Sequence, residues 1–136
     1  VPGIDMTLVE AMSVHGARGA TIVDWTCGFV LDSAGEAWPA GVDATAADTA
    51  ELARLVRESA AFCAAHDGGE PTTVEDVIVT TGSAYHLICF VPEALEGGVL
   101  LHLWLDRESG NLALARRRLR ALAEELAQPY AATGAR

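Results

Sequence analysis

Hydrophobic and polar positions recur along this chain with two periods, and the changes of period mark out eight elements. Over residues 4–15 (IDMTLVEAMSVH) Leu8, Val9, Ala11 and Met12 stand at helical spacing, and Gly16 closes a first helix. Residues 18–26 are rich in β-branched and aromatic types. Cys27 and Gly28 offer a turn and Phe29 to Asp32 resumes a strand, so the stretch reads as a hairpin. Ser33 to Asp43, broken by Gly35, Pro39 and Gly41, reads as loop. The longest helix is expected from about Thr45 to His66, with Thr45 or Asp48 as its N-cap. In it Leu52, Leu55, Val56, Ser59, Phe62 and Cys63 form one stripe, expected to cover a sheet. Ala50, Ala53, Ala60, Ala61 and Ala64 form a second face, whose small side chains would let another helix approach closely.

Asp67-Gly68-Gly69 and Pro71 stop that helix. Three strand-like runs follow, Thr73 to Thr80, Ala84 to Val91 and Val99 to Leu105, with Gly82 breaking the first pair and Pro92 to Gly98 looping between the second. In the last run Val99, Leu101, Leu103 and Leu105 share one face and Leu100, His102 and Trp104 the other. Both faces are largely apolar, the mark of a central strand covered on both sides. Leu112, Ala115, Leu119, Leu122 and Leu126 step by three and four and define a closing helix from Asn111 to Leu126. The tail, 127–136, contains Pro129 and is expected to fray. The order α-β-β-α-β-β-β-α describes one α/β (α+β) domain over residues 1–136, with its core in 4–126.

Composition narrows the function. The 136 residues are 51% apolar, enough for one core, yet contain no apolar run of membrane-spanning length. The formal net charge is −10, which disfavours general nucleic-acid binding. All nine cations are Arg, and without Lys a P-loop is impossible. Residues 1–53 hold eight acids against Arg18 alone, whereas Arg116, Arg117, Arg118 and Arg120 cluster as either a solvated helix face or a patch for an acidic partner. Cys27, Cys63 and Cys89 are odd in number and show no C-x-x-C, so small buried hydrophobes in a reducing, cytoplasmic setting are expected. Val1 to Asp5 show no basic start followed by an apolar stretch, so no secretory signal is expected in them.

Candidate chemistry is sparse. G-x-G-x-x-G after a strand, H-E-x-x-H and paired Cys knuckles are all absent, so no catalytic residue, cofactor or metal is expected. Ser83, in TTGSAYH, lacks the glycine spacing of a nucleophile elbow. His86 and His102 lie on two runs that pair as a hairpin; a register summing to 188 would set them directly opposite, as a metal- or pH-sensitive pair or as two ordinary core histidines. Parity puts Cys89 on the other face from His86. Trp25, Phe29, Tyr85 and Trp104 would line a ligand cavity between sheet and helix, or else fill the core.

Three stretches together, ARGATIVDWTCGFVLDSAG at 17–35, TVEDVIVTTGSAYHLICFV at 73–91 and LDRESGNLALARRRLRALAEEL at 105–126, resemble the bacterial roadblock (dynein light chain 7) domain, in particular its small actinobacterial kind. The chain departs from that pattern at Gly110, where Ala is common, and in its bulky Trp25 and Cys27. The resemblance implies a five-stranded antiparallel sheet in order 2-1-5-4-3, the long helix on one face and the first and last helices on the other. It implies a homodimer closed through the third strand, Thr73–Thr80, and the long helix, Asp48–His66, with Leu52, Leu55, Val56, Ser59, Phe62, Val74, Asp76 and Ile78 as interface candidates. It also implies a non-enzymatic regulator of a small Ras-like GTPase in bacterial signalling, accompanied by other subunits of a signalling complex and working without an inserted arginine finger. Partner-binding candidates are Arg54, Arg57 and Glu58 on the helical face, or Arg116, Arg117 and Arg120 on the last helix. The alternatives are a structural scaffold with no effect on nucleotide turnover, and a small-ligand sensor.

Overall fold

Every residue from Leu100 to Leu105 is buried, and a strand with no wet face has to lie between two layers. The computed structural model, which describes residues 2–92 and 98–134, puts it there. In chain order the elements are α1 (Pro2–Met12), β1 (Ala17–Asp24), β2 (Phe29–Gly35), α2 (Val42–Glu58), α3 (Ala60–Cys63), β3 (Asp76–Thr80), β4 (Ala84–Phe90), β5 (Val99–Asp106) and α4 (Leu112–Gly134). The strands form one antiparallel sheet in the order β2-β1-β5-β4-β3, as the resemblance implies. Of the predicted loop between β4 and β5, residues 93–97 lie outside the described residues, as do 135 and 136 of the tail.

The two faces of β5 carry different cores. Leu101, Leu103 and Leu105 join Ala20, Ile22 and Leu87 under α1 and α4, which contribute Leu8, Ala11, Ala115, Leu119 and Leu122. On the other side Leu100 joins Val23, Ile88 and Phe90 under α2, and Trp104 joins Trp38 and Ala84 in a separate cluster. The alternation expected for β5 is therefore observed. α4 also begins as expected: the Leu114 N–H donates to Asn111 Oδ1 at 3.0 Å, a side-chain N-cap. It does not stop at Leu126 but continues through Pro129 to Gly134. Gly110 proves necessary in this chain, because a Cβ there would fall 2.6 Å from Leu105 Cγ and 2.5 Å from the Asp106 carbonyl oxygen.

The long helix departs from expectation in three ways. It starts at Val42 behind Gly41, which has φ 88° and gives no side-chain cap, so neither Thr45 nor Asp48 caps it. It breaks at Ser59, which takes an extended conformation and accepts a hydrogen bond from the Ala61 N–H at 3.2 Å, starting the short α3. A serine hydroxyl competes with the helix ladder in this way. Most importantly, its faces are partly exchanged: of the predicted stripe Val56 is buried and Leu52 packs on the sheet, but Leu55 and Phe62 are exposed, as are Ala60, Ala61 and Ala64 of the small-residue face. Ala46, Thr49, Ala50, Ala53 and Val56 are the buried positions, whereas Leu55 is 68% exposed. The sheet supplies most of the bulk, from Val23, Ile88 and Phe90, so alanines fill much of the contact, with Val56 and the half-buried Leu52 as the larger helix residues in it.

Two substitutions test this inversion. Ala53→Leu is expected to overpack the α2–sheet contact and cost about 1–3 kcal/mol. Ala44→Leu, on the exposed face, is expected to stay within about 0.5 kcal/mol. Urea unfolding of both variants is the measurement, and equal effects would contradict the inverted face.

Candidate functional site

β3 pairs with β4 alone, so among the described residues its other edge is open. Open edges invite pairing with another chain. α2 contacts its face of the sheet chiefly over β1 and β2, and Leu55 (68% exposed) and Phe62 (58%) stand out from α2 and α3. Val79, on the α2 side of β3, is itself partly exposed. Of the predicted interface residues, then, Leu55 and Phe62 are presented to solvent. The others are engaged: Leu52 and Val74 pack on the α2 cluster, Val56 is buried in it, Ser59 caps α3, and Ile78 packs on the α4 side. Asp76 faces two arginines of α4. Val79 is not among the sequence candidates, because its neighbours Val77 and Ile78 look the same; only pairing shows which of them is left uncovered.

The arginines are mostly structural. Arg116 Nε meets Asp76 Oδ2 at 2.8 Å, Arg120 Nη2 meets Glu75 Oε1 at 2.8 Å and Asp76 Oδ2 at 3.5 Å, and Arg118 Nη2 meets Glu10 Oε2 at 3.1 Å. The expected patch is thus a set of ties from α4 to β3 and α1, leaving Arg117 exposed with no ion-pair partner among the described residues. On the helical face Arg54 Nη1 donates to the Trp25 carbonyl at 2.9 Å. Arg57 donates to the Val74 carbonyl at 3.4 Å and lies 4.6 Å over the Phe90 ring. Glu58 is exposed. Neither candidate patch is a free cationic surface.

The histidines meet, by a different register from the one expected. His86 pairs with Trp104 and His102 with Ile88, so the sum is 190, not 188. The two rings share a face diagonally, with His86 Nδ1 2.9 Å from His102 Nε2. His102 is buried, under Trp38 at 4.9 Å between ring centroids, and its Nδ1 has no hydrogen-bond partner. A stranded lone pair costs less than a stranded N–H, so the tautomer with His102 Nε2–H donating to His86 is favoured. Burial and then the neighbouring His86 push the His102 pKa down to about 3, and burial lowers that of His86. Cys89 faces away, and among the described residues no three His, Cys, Asp or Glu gather as metal ligands.

The four aromatics proposed to line a cavity do not converge. Phe29 is 70% exposed, Tyr85 packs on the α4 side, Trp25 meets Phe90 edge-on at 5.9 Å, and Trp104 packs against Trp38 at 5.3 Å. Trp38, read from sequence as loop, is the plug of this face. It needs Gly19, where a Cβ would lie 3.0 Å from Trp38 Cζ2 and 3.2 Å from Trp104 Cε3.

Two measurements follow. Because His102 is held neutral, the unfolded chain takes up a proton below about pH 6.5 that the native state refuses until about pH 3. Its contribution is whole above the unfolded value and is lost as pH falls, by about 2 kcal/mol between pH 7 and pH 5. His102→Phe is expected to flatten the pH dependence of stability by that amount, and an unchanged slope would refute the linkage. Secondly, Arg120→Glu sets a carboxylate against Glu75 and Asp76 and is expected to cost about 1 kcal/mol in urea unfolding. Arg117→Glu is expected to be neutral within about 0.5 kcal/mol.

No family model matches the sequence, and no curated protein does. Solved structures do. The gliding protein MglB from Thermus thermophilus is 22% identical over 93% of this chain and 87% of its own, with a TM-score of 0.74. A structure described as MglB with tetrameric arrangement is 24% identical, covering 92% of this chain and 85% of its own, at 0.70. The roadblock/LC7 domain from Streptomyces avermitilis is 22% identical, covering 93% and 95%, at 0.69. The sheet order, the helices on both faces and these likenesses agree, and the chain has the roadblock/LC7 fold.

Proposed function

We propose that this protein is a non-enzymatic regulatory module that acts as a homodimer and has a small Ras-like GTPase as its partner. The observation that carries the reading is the open edge of β3, with Val79 exposed on it and Leu55 exposed on α2, in a fold shared with a gliding protein and a roadblock domain. Two copies joined edge to edge would continue the sheet and cover those side chains, and an isologous contact closes at two. One similar structure is described as tetrameric, so the fold supports self-association. Arg54 and Arg57 are held by backbone carbonyls within the chain. That arrangement favours a regulator that reshapes its partner's own catalytic groups over one that inserts an arginine. The same fact keeps a second reading in play, a scaffold that binds the GTPase in either nucleotide state and leaves its turnover unchanged.

Light scattering of the purified protein is expected to give twice the mass of one chain. Val79→Asp is expected to weaken self-association by about 100-fold, near 3 kcal/mol, with an unchanged circular dichroism spectrum. A cytoplasmic small GTPase from the same genome is expected to hydrolyse GTP about tenfold faster or more with the protein present. A single-chain mass at high concentration would sink the dimer. Binding indifferent to nucleotide, with no change in rate, would give the answer to the scaffold.

A further inference from the structure

The border at the far end of the sheet is built on different chemistry. β2 pairs with β1 alone. From residue 19 to residue 53 the chain carries six acids, Asp24, Asp32, Glu36, Asp43, Asp48 and Glu51, and no cation. Among the described residues only Glu36 has an ion-pair partner, Arg18. On this acidic margin Phe29 is 70% exposed and Leu31 46%. Leu31 is the extra residue where the β1–β2 register shifts, between the pairs Ile22–Asp32 and Val23–Val30. Between β2 and α2 lies a groove of about 530 Å³ lined by Phe29, Val30, Ala47 and Ala50, with the exposed Asp43 and Glu51 beside them and one cation, Arg54, which is tied to the Trp25 carbonyl.

Proteins blunt such an edge with Lys, Pro, a bulge or a covering segment, and of these β2 itself carries only the bulge at Leu31. This strand, FVLDSAG, has neither Lys nor Pro. One backbone group is shielded locally, the Ser33 N–H donating to Asp32 Oδ1 at 2.9 Å.

We propose that the β2–α2 groove takes an extended, basic segment of a partner protein. The segment adds as a strand along β2, seats one apolar side chain beside Phe29 and sets Lys or Arg against Asp43 and Glu51. Main-chain bonds give such strand addition its affinity, and alternate side chains give it specificity. Charge decides against a second copy as occupant. Each chain carries −10, and of the α4 arginines all but Arg117 are held in internal pairs among the described residues. β2 lies at the opposite end of the sheet from β3, so occupancy here is independent of how β3 is closed.

The probe is a fluorescein-labelled peptide of about ten residues alternating Lys and Val. Its comparators are a Glu–Val peptide of the same length and a Lys–Val peptide N-methylated at alternate residues. Anisotropy gives the affinity and amide chemical shifts give the site. The Lys–Val peptide is expected to bind and to shift the amides of Phe29–Gly35 and of the first turns of α2. N-methylation, Phe29→Ser and Glu51→Lys are each expected to weaken binding by about tenfold or more, with the Tm unchanged because both side chains are exposed. The proposal is overturned if the Lys–Val peptide does not bind, if the shifts map elsewhere, or if the N-methylated or Glu–Val peptide binds equally well. Loss of a higher oligomer in Phe29→Ser would also overturn it, by giving the groove to a second copy.

Discussion

The burial of β5 on both faces constrains everything else. Its residues Leu100 to Leu105 are at most 5% exposed, so the strand has to sit in the middle of the sheet and two layers have to cover it. The two layers are not equivalent. Leu101, Leu103 and Leu105 present an apolar ridge that accepts α1 and α4. Leu100, His102 and Trp104 present a surface that is bulky and partly polar. Trp38 and His86, not a helix, pack against His102 there. α2 contacts the β1–β2 side of this face, where alanines let it lie close, and its own Leu55 is left facing solvent.

That displacement sets the character of the two borders. At β3 the strand is anchored from behind, Asp76 held by Arg116 and Arg120 of α4, while the side facing α2 keeps Val79 partly uncovered. At β2 the one ion pair among the described residues is Arg18 with Glu36, just past the strand, and exposed Phe29 and Leu31 stand near acids that have none. Charge is therefore sorted through the fold. Three of the four arginines of α4 tie it to β3 and α1, and the acids of the β2–α2 margin are left to the solvent. A chain with a net charge of −10 thus has one border whose electrostatics are largely internal and another whose field extends outward.

The histidine pair follows from the same division of space. Where α2 does not reach, a buried imidazole accepts a neighbour's hydrogen-bonding group and a tryptophan lid, leaving one ring nitrogen unpartnered. Gly19 makes room for that lid, so a glycine in the middle of β1 reflects packing and not a turn.

The sequence by itself determined the order of elements, the central place of β5 and its two-faced alternation, the Asn111 start of α4 and the separation of Cys89 from the histidines. These follow from periodicity and capping, which act over a few residues. It also carried, through resemblance, the sheet order. Only the tertiary structure decided which face of α2 turns inward. Bulk in the helix suggested both Leu52 and Leu55; Leu52 does pack on Val23, Ile88 and Phe90, but beside it alanines fill the space and Leu55 is left outside. Only it showed the arginines of α4 to be ties, because Glu75 and Asp76 lie about forty residues away in the chain. The same holds for the histidine register, shifted by two from expectation, and for Trp38, which no local pattern distinguishes from loop. Local periodicity says which residues want to be buried; which of them are buried depends on how much room the facing layer leaves.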